Sequence, residues 1–183
     1  MTNIDGIKQL PVKKLVLGGC RSGKSRYAEH WVSENFSDRV FVATLEAKND
    51  VEMDQRIAMH LQSRGSGWMT VEEPLDLVGV LEKNATGAEV FLVDCLTMWL
   101  TNMMMRDFSD EKIQDQVVRL AETVRGLGAS VVLVANEVGF GIVPESPLGR
   151  RFRDLAGWTN QQMALVCQQV VLVVAGLPLR FKG

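Results

Sequence analysis

Gly18-Gly19-Cys20-Arg21-Ser22-Gly23-Lys24-Ser25 follows the apolar run Leu15-Val16-Leu17 and leads into the helix-compatible stretch Arg26-Tyr27-Ala28-Glu29-His30-Trp31. The spacing is G-x-x-x-x-G-K-[ST], placed between a strand and a helix as that motif requires. Glycines let the backbone curl so that successive N–H groups point inward, and the helix N-terminus adds partial positive charge. Lys24 is placed to reach the β- and γ-phosphates, and the Ser25 hydroxyl to ligate Mg²⁺. A glycine-rich turn that binds nothing would not need the lysine and hydroxyl in this order. The stretch reads as a P-loop that binds a nucleoside triphosphate.

Outward from it, strands and helices alternate. Residues 14–17 form the first strand, and the helix after the turn runs to about Asn35. Residues 38–44 give a second strand rich in β-branched residues. Residues 50–64 read as a helix with Met53, Ile57 and Leu61 in an apolar row. Trp68 to Val71 is a short strand, and Pro74 is expected to open a helix at its first turn. Residues 89–93 form a third core strand ending at Asp94, followed by a Met-rich helix over 97–105 whose methionines read as flexible core or interface filler rather than a ligand set, with an apolar face that could serve in self-association. Residues 110–127 read as an amphipathic helix, 130–135 as a strand covered on both faces, 147–166 as a helix and 170–175 as the last strand. The pattern predicts an α/β fold: a single P-loop NTPase-type domain with a mostly parallel sheet flanked by helices. Residues 1–11 are expected to be an N-terminal extension and 12–183 the domain. Ligands should gather beyond the carboxyl ends of the strands, where Gly18, Thr44, Asp94 and Asn136 fall.

Composition narrows the classes. The chain has 183 residues, 46% hydrophobic and 23% charged, with a net charge of −2. That describes one globular domain with no basic excess pointing to nucleic acid. Cys20, Cys95 and Cys167 are odd in number and widely spaced, which suits a reducing cytoplasm and indicates neither a disulfide framework nor a zinc site. No secretory signal or membrane span is expected, since the apolar runs are only strand-length.

Three further constellations carry chemistry. Val90-Phe91-Leu92-Val93-Asp94 is an apolar strand ending in a carboxylate, suited to holding Mg²⁺ beside Ser25. Glu52, Arg56, His60 and Arg64 recur every four residues, placing His60 one turn from an arginine on either side. A neutral imidazole there suits nucleophilic attack on phosphorus, although spacing alone favours a solvated helix face with an incidental histidine. Arg150-Arg151-Phe152-Arg153 reads as a solvated helix start, with a phosphate-facing arginine as the alternative.

Assembled, these stretches resemble the bifunctional adenosylcobinamide kinase/adenosylcobinamide-phosphate guanylyltransferase family of cobalamin biosynthesis. The resemblance rests on Gly18 to Ser25, on Val42-Ala43-Thr44, and on Glu52-Met53 through Arg56-Ile57 to His60, with Trp68 and Glu72 downstream. Asn136-Glu137-Val138-Gly139 with Gly141-Ile142-Val143-Pro144-Glu145 is its most distinctive element, completed by Phe152-Arg153-Asp154-Leu155-Ala156-Gly157 and Asn160-Gln161. It implies a guanylylated histidine at His60. It implies nucleotide contacts at Gly18, Gly19, Cys20, Arg21, Ser22, Gly23, Lys24, Ser25, Ala43, Thr44, Leu45, Leu61, Gln62, Ser63, Arg64, Glu72 and Asp94. Cys20 stands where many relatives have Ala, Asp94 where others have Glu, and Leu45 where some have Ser. The implied substrates are GTP, ATP, adenosylcobinamide and its phosphate, with Mg²⁺ as cofactor and a homo-oligomer, a trimer among the states, as the assembly. The P-loop by itself also fits another small-molecule kinase or a non-catalytic nucleotide-sensing module.

Overall fold

The computed structural model describes residues 10–45 and 67–183. Seven strands form one sheet in the order β3-β2-β4-β5-β1-β6-β7. The chain enters through β1 (Lys13–Gly18), α1 (Lys24–Asn35), β2 (Arg39–Ala43) and β3 (Trp68–Glu72). It continues through α2 (Leu77–Lys83), β4 (Val90–Asp94), α3 (Leu96–Met104) and α4 (Asp110–Gly126). It closes with β5 (Ser130–Asn136), α5 (Pro147–Val166), β6 (Gln169–Val174) and β7 (Leu177–Lys182). Every pairing is parallel except β6 with β7.

The apolar strands explain the layering. Successive side chains point to opposite faces, so a continuous apolar run feeds two cores at once. Val16, Phe41, Leu92, Val132, Val134 and Val173 pack on one face with Ala28 and Val32 of α1. Leu15, Val42, Phe91, Val93, Val131 and Leu133 pack on the other with Leu81, Trp99, Leu120 and Met163. Among the described residues, one helix therefore covers the first face and four cover the second.

The helix ends follow from local chemistry. Ser109 Oγ accepts the Lys112 N–H at 3.3 Å and Ser146 Oγ the Gly149 N–H at 3.1 Å, with Pro147 in the first turn of α5. Each such cap is worth about 1 kcal/mol. Pro74 does not open a helix. Glu73 Oε1 accepts the N–H groups of Leu75 and Asp76, both at 2.8 Å, and the resulting turn delays α2 until Asp76 caps it through the Gly79 N–H.

One further reading changes and another is narrowed. The sheet does not end at β6, because Ala175 and Gly176, with φ of 53° and 81°, turn the chain back into β7. Two positive-φ residues between strands are the tight turn whose twist matches a hairpin. Pro178 lies in β7, where an outer strand needs no N–H on its open side. The methionines of the Met-rich helix, read as core or interface filler, are core: Met103 and Met104 are buried and only Met105, at its end, is well exposed, which leaves little apolar face there for association. The expected helix over 50–64 lies outside the described residues, as does nearly all of the expected extension over 1–11.

At the amino end of β1, Lys13 and Lys14 are buried. Lys13 Nζ donates to the carbonyls of Leu127 and Ala129, and Lys14 Nζ to Gln169 Oε1 at 2.7 Å while lying 4.1 Å over the Trp31 ring. Burial pulls both ammonium groups down to about 8.

Candidate active site

The strand order brings together residues far apart in sequence. Gly18 pairs in register with Asn136, Ala43 pairs with both Asp94 and Glu72, and Asp94 pairs with Val134. At roughly 4.8 Å per strand, the row from Gly18 through Asn136, Asp94 and Ala43 to Glu72 spans about 19 Å along one edge. All five lie at carboxyl ends of parallel strands, where α/β sheets bind ligands.

The turn from Gly18 to Ser25 has the geometry of an anion nest. Arg21 at φ 55° and Gly23 at φ 93° adopt left-handed conformations, and the Ser22 N–H closes the turn on the Gly19 carbonyl at 3.2 Å. Gly23 tolerates that φ as a residue with a Cβ would not. Gly18 is glycine for space, since a Cβ there would lie 2.4 Å from Ser22 Oγ and 2.7 Å from the Val173 carbonyl oxygen. Lys24 Nζ lies 3.4 Å from the Gly19 carbonyl, curled over its own loop. Ser25 sits in the first turn of α1.

The β6–β7 turn braces this loop. The Gly176 N–H donates to the Ser22 carbonyl at 2.8 Å, and a Cβ on Gly23 would stand 3.2 Å from Gly176 Cα. Sequence reasoning missed this contact with the hairpin itself; the alternation of Leu177, Leu179 and Phe181 after a Gly was the available signal.

Thr44 ties β2 to β4 beside Asp94. It is fully buried, and every polar group it owns is used within the protein. Its N–H meets the Asp94 carbonyl at 3.3 Å, and its carbonyl accepts from Asn102 Nδ2 at 2.7 Å. Its hydroxyl donates to the Cys95 carbonyl and accepts the Cys95 N–H, both at 2.8 Å. Asn102 also donates to the Pro74 carbonyl at 3.0 Å, joining the loops after β2 and β3. Thr44 therefore serves the site by fixing the peptide that follows Asp94. Neither Asn102 nor this locking role was legible in the sequence, because a buried Asn inside an apolar helix shows its partners only in three dimensions.

Electrostatics agree with the geometry. Burial, reinforced by the Asp94 carboxylate, pushes the Cys95 thiol up to about 11, while the Lys24 ammonium pulls the other way. Both charges are felt at Cys95, the residue that follows Asp94. Among the described residues no three His, Cys, Asp or Glu side chains cluster as a metal site. A Mg²⁺ ion that arrives with a nucleotide asks for only one or two protein oxygens, and the Ser25 hydroxyl and Asp94 carboxylate fit that donor set.

Two buried oxygens, Ser22 Oγ and Asn136 Oδ1, have no hydrogen-bond partner among the described residues. Both belong to segments at the carboxyl edge, where a bound ligand or water would satisfy them. Asn136 is otherwise held: its N–H donates to Thr97 Oγ1 at 2.7 Å and its carbonyl accepts from Asn160 Nδ2 at 3.2 Å. Leu45 continues from Thr44 and is half-buried, Cys20 is exposed at the tip of the turn, and Glu72 is exposed at the sheet edge. His60, Leu61, Gln62, Ser63 and Arg64 lie outside the described residues.

A family model described as cobinamide kinase / cobinamide phosphate guanyltransferase matches residues 14–181. The chain is similar to the bifunctional adenosylcobalamin biosynthesis protein CobP of Pseudomonas aeruginosa, 42% identical over 172 residues, covering 94% of this chain and 98% of that one. It is similar also to the bifunctional adenosylcobalamin biosynthesis protein CobU of Escherichia coli, 39% identical over 181 residues, covering 92% of this chain and 98% of that one. Among solved structures it matches the RadB recombinase with a TM-score of 0.50 at 15% identity, over 89% of this chain and 74% of that chain, a likeness of fold alone.

Proposed function

The chain belongs to the cobinamide kinase / cobinamide phosphate guanyltransferase family, and from that premise we propose a division of labour between the phosphate-binding turn and His60. The enzyme phosphorylates adenosylcobinamide and then transfers GMP from GTP to the product, giving adenosylcobinamide-GDP for cobalamin assembly.

In the first reaction the hydroxyl of the aminopropanol arm attacks the γ-phosphorus of ATP or GTP, the nucleoside diphosphate leaves, and the hydroxyl proton passes to solvent or base. Phosphoryl transfer needs positioning and charge neutralisation more than covalent chemistry. The backbone N–H groups of Gly18 to Ser25 cradle the phosphates and Lys24 swings from the Gly19 carbonyl onto the β- and γ-oxygens. Ser25 and Asp94 would hold Mg²⁺, which when bound neutralises charge on those oxygens. Thr44 and Asn102 keep the segment after Asp94 in place.

In the second reaction His60 attacks the α-phosphorus of GTP, forming an N–P bond and expelling pyrophosphate. The phosphate of adenosylcobinamide phosphate then attacks the guanylyl group and returns the imidazole. An unperturbed imidazole pKa near 6.5 leaves it mostly neutral, hence nucleophilic, at pH 7. Ala43, Leu45, Glu72 and Leu61 through Arg64 contribute nucleotide contacts in this reading. What carries it is the carboxyl-edge row: P-loop, Asp94, Ala43 and Glu72 aligned on one edge, in a chain whose relatives are bifunctional.

The test is a His60→Ala variant assayed for both reactions. It should lose adenosylcobinamide-GDP formation and keep phosphorylation; unchanged GDP-product formation would refute the covalent route.

The assembly is a homo-oligomer, with a trimer as the candidate state. Val174, Leu177 and Leu179 share one face of the outer hairpin by register and are 58%, 73% and 56% exposed. An apolar strand face at a sheet edge calls for cover, and a second copy supplies it. Among the described residues no helix is long and apolar enough to cross a membrane; we place the enzyme in the cytoplasm, where its nucleotide substrates are.

A further inference from the structure

Three arginines fall within four residues at the start of α5, and the structure uses them differently. Arg150 Nη1 donates to the carbonyls of Pro144 at 3.0 Å and Glu145 at 2.6 Å, holding the loop after β5. Arg151 lies on another side of the helix, donating to Asp110 Oδ1 at 2.6 Å and to the Phe108 carbonyl at 2.7 Å. Arg153 has no hydrogen bond or ion pair with any described residue, although it is half-buried. Its neighbours three and four positions away are Gly149, Arg150, Ala156 and Gly157, none of which carries a compensating charge. A guanidinium group in partial burial, one turn from a second one, is unfavourable without an anion.

Its place in the fold says where that anion lies. Seven residues further along α5, Asn160 Nδ2 reaches the Asn136 carbonyl, and Asn136 is the register partner of Gly18 at the root of the phosphate-binding turn. Seven residues are nearly two full turns, so Arg153 stands on the same stripe as Asn160, about 10 Å nearer the helix N-terminus. Asn160 is level with the strand ends, so Arg153 overhangs the carboxyl edge. Helical side chains lean toward the N-terminus, which carries it further over that edge.

We propose that Arg153 is a phosphate-binding residue of this site, engaging an anionic phosphate oxygen above the turn. The proposal rests on the two-reaction reading above. The phosphate has two sources, the γ-phosphate of the donor nucleotide or the phosphate of adenosylcobinamide phosphate. Both offer the paired oxygens that a planar guanidinium matches.

The test uses the full-length protein and affinity ratios, which cancel general damage to the fold. Calorimetric affinities of wild type, Arg153→Gln and Arg153→Lys are measured for MgATP against MgADP, and for adenosylcobinamide phosphate against adenosylcobinamide. Loss of a charge-assisted contact should cut one ratio by roughly tenfold to a hundredfold in Arg153→Gln, with partial recovery in Arg153→Lys. A fall in the ATP/ADP ratio assigns the γ-phosphate; a fall in the corrinoid ratio assigns the acceptor phosphate. Both ratios within twofold of wild type would overturn the proposal. Wild-type protein that binds neither corrinoid would contradict the two-reaction reading instead, and the ATP/ADP ratio would still decide the role of Arg153.

Discussion

Replacing Thr44 by Val tests how the site is held. The two side chains have nearly the same shape, so the change removes hydrogen bonds without opening a cavity. The hydroxyl makes two bonds to one residue, donating to the Cys95 carbonyl and accepting the Cys95 N–H at 2.8 Å each, at a fully buried position. Each buried group left unpaired costs about 1–3 kcal/mol, and the new methyl returns up to about 0.8 kcal/mol. The expected net loss is about 3 kcal/mol. For a domain of this size that lowers Tm by roughly 6–12 °C. Urea denaturation should show a lower midpoint with an unchanged slope, because the surface exposed on unfolding is the same. Kinase activity should fall as well, since the Cys95 peptide adjoins Asp94. Thr44→Ser keeps the hydroxyl and should retain most stability and turnover. A Thr44→Val protein within about 1 kcal/mol of wild type, or a Thr44→Ser protein equally damaged, would refute the reasoning.

Two other outcomes follow. Lys13 and Lys14 have folded pKa values lowered to about 8 from 10.5, so above pH 8 the unfolded chain holds more protons and stability rises with pH. Cys95 and Cys167, raised to about 11 and 12 from 9.0, act in the opposite sense above pH 9, which leaves the rise clearest between pH 8 and 9. Each lysine should contribute about 1 kcal/mol over that interval. Lys14→Met should remove most of the rise in urea midpoints, because Cys95 and Cys167 already offset part of it as pH nears 9, and a flat wild-type profile would contradict the burial argument. A charge on the outer hairpin, Leu179→Lys, should shift sedimentation velocity from oligomer to monomer; a wild-type monomer would show that nothing covers that face.

Much of the fold was legible because the strands are apolar runs bounded by loops, and Pro147 to Val166 carries both its cap and its periodicity in the sequence. The last hairpin was not. Pro178 argues against a strand until β7 is seen to be outermost, where the missing N–H costs nothing. Pro74 misled in the other direction, because the Glu73 side chain captured the next two N–H groups and set up a turn first. The P-loop and Asp94 could be read directly, since their chemistry demands particular residue types at fixed spacing. The bracing by Gly176, the lock at Thr44 and Asn102, and the sorting of Arg150, Arg151 and Arg153 depend on contacts between segments up to about 150 residues apart. Nothing in local sequence reports such partners.

The central claim is that the imidazole at position 60 takes up a nucleotidyl group. Intact-mass spectrometry of the protein after incubation with Mg²⁺ and GTP tests it most directly. The account predicts one added GMP per chain, stable to alkali and labile to acid, absent from the His60→Ala protein and discharged by adenosylcobinamide phosphate. An enzyme that makes adenosylcobinamide-GDP without ever acquiring that mass, or that still acquires it after His60 is replaced, would contradict it.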